Sequence, residues 1–148
     1  MRRDGTTDVV GKLFDASSLV DVLIGADGVD VGVEAVFDQH ILDLTIYESS
    51  NALWKIAFVR DELTTTELET AISILGRLDR DVSVEKATGA TLLSVMQTAR
   101  RTGCTFYDAS YITVADSHDL TLVTEDEAVR EAAASEDVES LSVVDLPE

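Results

Sequence analysis

The stretch Thr105–Ala128, TFYDASYITVADSHDLTLVTEDEA, decides the fold. It begins as a strand and turns helical at Asp108, where Ala109, Ile112 and Ala115 fall on one face. LTLVT is the clearest strand of the chain, and a short helix follows at Glu127 to Ala133. Strand, helix, strand and helix in that order predict parallel strands joined by crossovers. Two aspartates, Asp108 and Asp126, stand where apolar runs end, so each must cap a helix or hold something positive.

Upstream the same alternation continues. Asp8 to Phe14 reads as a short strand, and DASSLVDVLIGA as a helix with Leu19, Val22 and Leu23 at helical spacing. GVDVGVEAVFDQ predicts a second short helix and HILDLT a second strand. Between Ile46 and Val59, a stripe of Ile46, Ser50, Leu53, Trp54, Ala57 and Phe58 predicts a strong amphipathic helix with Trp54 in the core or an interface. TTTELETAISILGRLD opens with Thr64 and with Glu67 three residues later, the signature of a capping box. DVSVEKA suggests a brief strand, TGATLLSVMQTARRTG a helix stopped by Gly103, and SLSVVDL a last strand. The expected architecture is α/β, a three-layer α/β/α sandwich with a mostly parallel central sheet. With no repeat or linker, residues 1–148 read as one domain.

Composition narrows the classes. Hydrophobic residues make up 45% of the chain, enough for a sizeable core. No apolar run approaches the roughly 18 residues of a membrane span. MRRDGTTDVV lacks the apolar stretch of a signal peptide, so a cytoplasmic location is expected. Cys104, the one cysteine, rules out an internal disulfide and a thiolate metal cage. The formal net charge is -18, from 29 acidic and 11 basic residues, with lysine only at Lys12, Lys55 and Lys86. Such a balance ordinarily argues against nucleic-acid binding, which draws on clustered Lys and Arg. It also fits a halophile's cytoplasm, where molar salt shrinks the Debye length to about 3 Å; on that reading the charge describes the solvent.

Asp15, Asp108 and Asp126 share an address, each after a strand-like run (KLFD, TFYD, TLVTED) and before a helix. If the strands are parallel neighbours, the three carboxylates meet at the edge of the sheet where ligands gather. A few ångströms apart, like charges repel by on the order of several kcal/mol, so the cluster must raise its pKa values or recruit a cation. Magnesium or manganese suits a set of carboxylate oxygens. Any one of the three taken alone reads more readily as an N-cap. By periodicity, Glu48 lies on the far side of its helix from the apolar stripe, with Lys55 two turns on, and reads as a solvated acid.

In order, LFDASSLVDVL, TIYESSNALWKI, TFYDASYITVA and LTLVTEDEAV resemble the PIN-domain nucleases, particularly the VapC toxins of VapBC toxin–antitoxin pairs, over nearly the whole chain. The resemblance implies that Asp15, Glu48, Asp108 and Asp126 are the catalytic, metal-holding acids. It matches a small hydroxyl residue to Thr124 and also to Ser17, and an asparagine to Asn51. It further implies a Mg2+ (or Mn2+)-dependent endoribonuclease acting on an RNA substrate, a VapB-type antitoxin partner and a homodimer. Lys55, Arg60, Arg77, Arg80, Arg100 and Arg101 are the candidate RNA contacts; Arg100 and Arg101 read equally well as charges complementing a helix C-terminus. Asp116 reads as a solvated acid.

Rival classes lack their residues. A receiver domain needs paired early acids and a late lysine, and no lysine follows Lys86. A haloacid-dehalogenase-type phosphatase needs a second aspartate where Ser17 stands. His40 and His118 lack the ligand-spaced partners of a zinc site. A PIN-type RNA-processing enzyme remains compatible, as does a catalytically idle PIN scaffold that only binds.

Overall fold

A computed structural model of the chain describes residues 10–88 and 91–147. In chain order the elements are β1 (Lys12–Phe14), α1 (Ala16–Ile24), β2 (His40–Leu42), α2 (Asp43–Trp54), α3 (Thr65–Leu75), β3 (Ser83–Glu85), α4 (Thr91–Thr102), α5 (Phe106–Ser117), β4 (Thr121–Val123), α6 (Glu127–Ser135) and β5 (Ser140–Leu141). The strands form one sheet in the order β3-β2-β1-β4-β5, and every pairing is parallel. Strand alternation divides the core between the two faces. Phe14, Ile41 and Val123 pack with Leu19, Leu53, Ala71 and Leu75 from α1, α2 and α3. Leu13, Leu42 and Leu122 pack with Tyr111, Ile112, Ala115, Val129 and Ala133 from α5 and α6. The result is the expected three-layer α/β/α sandwich.

Helix boundaries follow local chemistry. The Asp15 carboxylate accepts the Ser18 N–H at 3.0 Å and starts α1, which ends at Gly25 in the left-handed region (φ 65°). Gly103 (φ 77°) follows the end of α4 as expected. The anticipated capping box is present: Thr64 N–H donates to Glu67 Oε1 (2.8 Å) and Glu67 N–H donates to Thr64 Oγ1 (3.1 Å).

Five expectations need correction. Of HILDLT only His40–Leu42 is strand, and Asp43 already opens α2. Thr105–Tyr107 is not a strand: Thr105 Oγ1 accepts the Asp108 N–H at 3.2 Å and caps α5, which already begins at Phe106. Two aromatics are too short a run to specify a strand against a good N-cap. The segment GVDVGVEAVFDQ makes only a single 3-10 turn, Val33–Ala35. SLSVVDL pairs only through Ser140–Leu141, then closes into a 3-10 turn at Val143–Asp145. Finally, of the two places expected for Trp54 the core is excluded, since the residue is half exposed, and the interface is left. The buried stripe of α2 runs through Thr45, Ser49 and Leu53, one position away from the stripe expected. After Trp54 the helix widens to a π turn at Lys55–Val59, where Arg60 N–H donates to the Lys55 carbonyl (2.9 Å), and Phe58 and Val59 turn outward. The expected strand start at Asp8 and Val9, and Gly89 and Ala90 before α4, lie outside the described residues. No helix among the described residues is long and apolar enough to cross a membrane.

Replacing Thr64 with Ala removes one bond of the capping box and is expected to lower stability by about 1 kcal/mol. Urea unfolding measures it; an unchanged midpoint would show that the cap contributes nothing.

Candidate active site

The strand order reverses direction between β1 and β4: β2 and β3 extend from one side of β1, while β4 and β5 lie on the other. In an open parallel sheet, that switch point opens a crevice at the carboxyl ends of the strands. Phe14 is in register with Val123, and the Asp15 N–H donates to the Val123 carbonyl at 3.1 Å, so Asp15 leaves β1 as Thr124 leaves β4. Helices α1, α2, α5 and α6 all begin at this edge.

Each expected acid sits near the start of one of them. Asp15 is the N-cap of α1, and Asp126 caps α6, its Oδ1 accepting the N–H groups of Ala128 (2.9 Å) and Val129 (3.3 Å). The capping role weighed for these two is therefore real, and each caps through Oδ1 alone. Asp108 lies in the first turn of α5 and Glu48 in the second turn of α2. Glu48 is half-buried, contrary to its reading as a solvated acid, because the true buried stripe of α2 is displaced towards it. The partial positive charge of the helix N-termini offsets part of the repulsion among the four.

Hydroxyls tie the loops together. Ser17 Oγ donates to Asp15 Oδ1 (2.7 Å) and accepts the Glu125 N–H (3.0 Å), joining the start of α1 to the β4–α6 loop. Buried Thr124 accepts the Asp126 N–H at 3.2 Å and lies 3.5 Å from Ser17 Oγ. Tyr111, buried in α5, donates its hydroxyl to Glu48 Oε1 at 2.8 Å.

Electrostatics shows that the acids sense one another. Burial pushes the Asp15 carboxyl up from its ordinary 3.8, against hydrogen bonds from Thr124, Ser18 and Ser17 that pull it down. Asp108 is raised by burial and by the charges of Asp126 and Asp15. Glu48 is raised by burial and by Asp108 and Asp15, partly offset by the Tyr111 hydroxyl. The Tyr111 phenol is itself pushed up by burial. Among the described residues no Lys, Arg or His forms an ion pair with any of the four acids. Nor do three His, Cys, Asp or Glu side chains there draw close enough to enclose a metal ion by themselves. The donor set fits a hard divalent ion that keeps part of its water shell, as magnesium does. It does not fit a fully ligated zinc.

Several candidates stay apart from the acids. Arg101 forks onto Glu136 (2.7 and 3.2 Å), linking α4 to the end of α6. Lys55, Arg60, Arg77, Arg80, Arg100, Asn51 and Asp116 are exposed. His40 and His118, far apart in sequence, meet at one carboxylate: His40 Nδ1 is 2.7 Å from Glu85 Oε2 and His118 Nε2 is 3.8 Å from Oε1. Three residues beside the site carried no sequence signal. Tyr111 is hidden within the apolar run ASYITVA. Arg130, one turn after Asp126, donates Nη1 to the Thr124 carbonyl at 2.8 Å. Glu125 accepts from Ser142 Oγ (2.6 Å) and the Val143 N–H (2.9 Å), anchoring the loop to the C-terminal turn.

Comparison with known proteins places the chain. No family model matches the chain. A curated protein of Pyrobaculum aerophilum, exonuclease VapC9, is 40% identical over 135 residues, covering 90% of this chain and 95% of the relative. The chain belongs to the VapC family of PIN-domain nucleases. Among solved structures, PAE2754 from Pyrobaculum aerophilum superposes with a TM-score of 0.68 at 33% identity, covering 90% of this VapC chain and 84% of that one. FitAB bound to a DNA fragment shares the fold at a TM-score of 0.58 and 14% identity, over 93% and 98% of the two chains.

The raised carboxyls give this VapC protein a signed pH dependence. Where Asp15, Glu48 and Asp108 are raised, the native state holds protons that the unfolded chain has released, so stability falls as pH rises through the native values. In chelator, melting temperature is expected to be higher at about pH 5 than at about pH 7. Asp15→Asn, which keeps an N-cap, should shrink that difference. A difference of the same size in both proteins would show that the site acids do not contribute.

Proposed function

We propose that the chain is a magnesium- or manganese-dependent endoribonuclease, the toxin half of a toxin–antitoxin pair. The observation that carries this reading is the set of four carboxylates at the β1/β4 split with no cationic partner among the described residues, three of which, Asp15, Glu48 and Asp108, are raised, by burial first. Family membership supports hydrolysis of a nucleic acid; RNA as the substrate, attack within the strand and the choice of ion are our reading.

Asp15, Asp108 and Asp126 hold the ion, directly or through water, and Glu48 orients a water or a second ion. When bound, the ion supplies an acidified water and neutralises the phosphate. Ser17 holds Asp15, and buried Thr124 bonds the Asp126 backbone, so two of the acids keep fixed positions without a ligand. In-line displacement of the sugar oxygen leaves a 5′-phosphate and a 3′-hydroxyl. The ion also provides the positive potential that an acidic surface lacks.

Membership of the VapC family supports a small antitoxin partner, and we read a second copy of the chain as a further one. Exposed Trp54, Phe58 and Val59 at the end of α2, with Ile72 on α3, form the apolar surface we assign to those contacts. We place the protein in the cytoplasm and read its acid surplus as adaptation to molar salt, so assays belong in concentrated KCl.

With end-labelled RNA and magnesium, the parent protein should cut internally, and Asp108→Asn should lose about 100-fold or more in turnover while remaining folded. A parallel DNA substrate and analysis of the product ends test substrate and polarity. Undiminished cleavage by the variant, or cleavage indifferent to chelator, would overturn the proposal.

A further inference from the structure

Tyr111 sits at 2% exposure in the layer of Leu13, Leu42, Ile112 and Leu122, where a phenylalanine would fill the same space without burying a hydroxyl. Its hydroxyl is nonetheless fully used. The Leu42 N–H donates to Thr45 Oγ1 at 3.0 Å, Thr45 Oγ1 lies 2.7 Å from the Tyr111 hydroxyl, and that hydroxyl lies 2.8 Å from Glu48 Oε1. Direction is forced from one end. The Glu48 carboxylate accepts, so the Tyr111 hydroxyl gives it its single proton. The Tyr111 oxygen is then left to accept the proton of Thr45, whose own oxygen takes the Leu42 N–H. Three aligned bonds polarise one another and run from the end of β2 to the acid site. Among the described residues nothing is bonded to Glu48 Oε2.

We propose that Tyr111 is a positioning residue: its hydroxyl, oriented by Thr45, holds Glu48 Oε1 so that Oε2 faces the site where the divalent ion and its water are bound. The inference rests on the role given to Glu48 above. It explains why the one acid placed beyond a first helical turn lies near enough to Asp108 and Asp15 to sense their charges. Glu48 is neither an N-cap nor held by a hydroxyl of its own loop; its hydrogen-bond partner comes from the opposite layer.

Manganese affinity, measured on the full chain by electron paramagnetic resonance, tests this apart from turnover. Tyr111→Phe should weaken binding about tenfold, the usual consequence of losing a group that orients a metal ligand. Added to Glu48→Gln, the same substitution should change affinity by no more than about twofold, because the group it acts through is gone. Thr45→Ser should bind as the parent does, while the isosteric Thr45→Val should fall between the parent and Tyr111→Phe; this pair decides the matter if Tyr111→Phe does not fold. Parent-like manganese affinity in folded Tyr111→Phe, or an equal loss in both backgrounds, would overturn the inference while leaving Glu48 in place. Parent-like binding and cleavage by Glu48→Gln would instead overturn the role of Glu48 itself.

Discussion

The structure depends on a repulsion that no Lys, Arg or His among the described residues relieves by an ion pair. Asp15, Glu48, Asp108 and Asp126 arrive from four separate helices at the split between β1 and β4; burial raises three of them, and neighbouring acids add to the shift at Glu48 and Asp108. Helix N-termini and backbone N–H groups offset part of the cost. They do so for Asp15 and Asp126 through one carboxylate oxygen each, leaving the other oxygen uncommitted as an N-cap. A stable fold built around unpaired negative charge invites a positive ligand.

The acids are held in two separate ways. Around Asp15 and Asp126 the fastening is local: Ser17 and Thr124 connect the loops that follow two adjacent strands, and Arg130 fixes the Thr124 carbonyl. Glu48 is held across layers instead, by a tyrosine on the far face of the sheet and a threonine in its own first helical turn. The distinction follows from topology. Asp15 and Asp126 leave neighbouring strands, whereas Glu48 stands a turn inside a helix and needs a long side chain to reach it.

Much of this was legible in the sequence where period and punctuation agreed. KLF and LTLV before Asp15 and Thr124 read as strands because short apolar runs end in polar residues, and the Thr64–Glu67 box marked the start of α3 to the residue. Legibility failed where two rules competed. Phe106 and Tyr107 look like strand residues, yet Thr105 caps a helix over them; Asp108 therefore reaches the site from a helix's first turn. Along α2 and the π turn after it the apolar and the buried residues coincide only in part, since Thr45 and Ser49 are buried and Trp54 and Phe58 are exposed. Periodicity alone thus misplaced Glu48, and family resemblance was what drew attention to it. Tyr111, and the meeting of His40 and His118 at Glu85, depend on contacts between distant segments that no local pattern encodes.

Anomalous diffraction from crystals soaked in manganese tests the central claim most directly. The account predicts a peak in the crevice between the carboxyl ends of β1 and β4, with oxygens of Asp15, Asp108 or Asp126 in its coordination shell and Glu48 bonded to one of its waters or to a second ion. Density without an anomalous peak there, with the four carboxylates unchanged at a saturating manganese concentration, would contradict it.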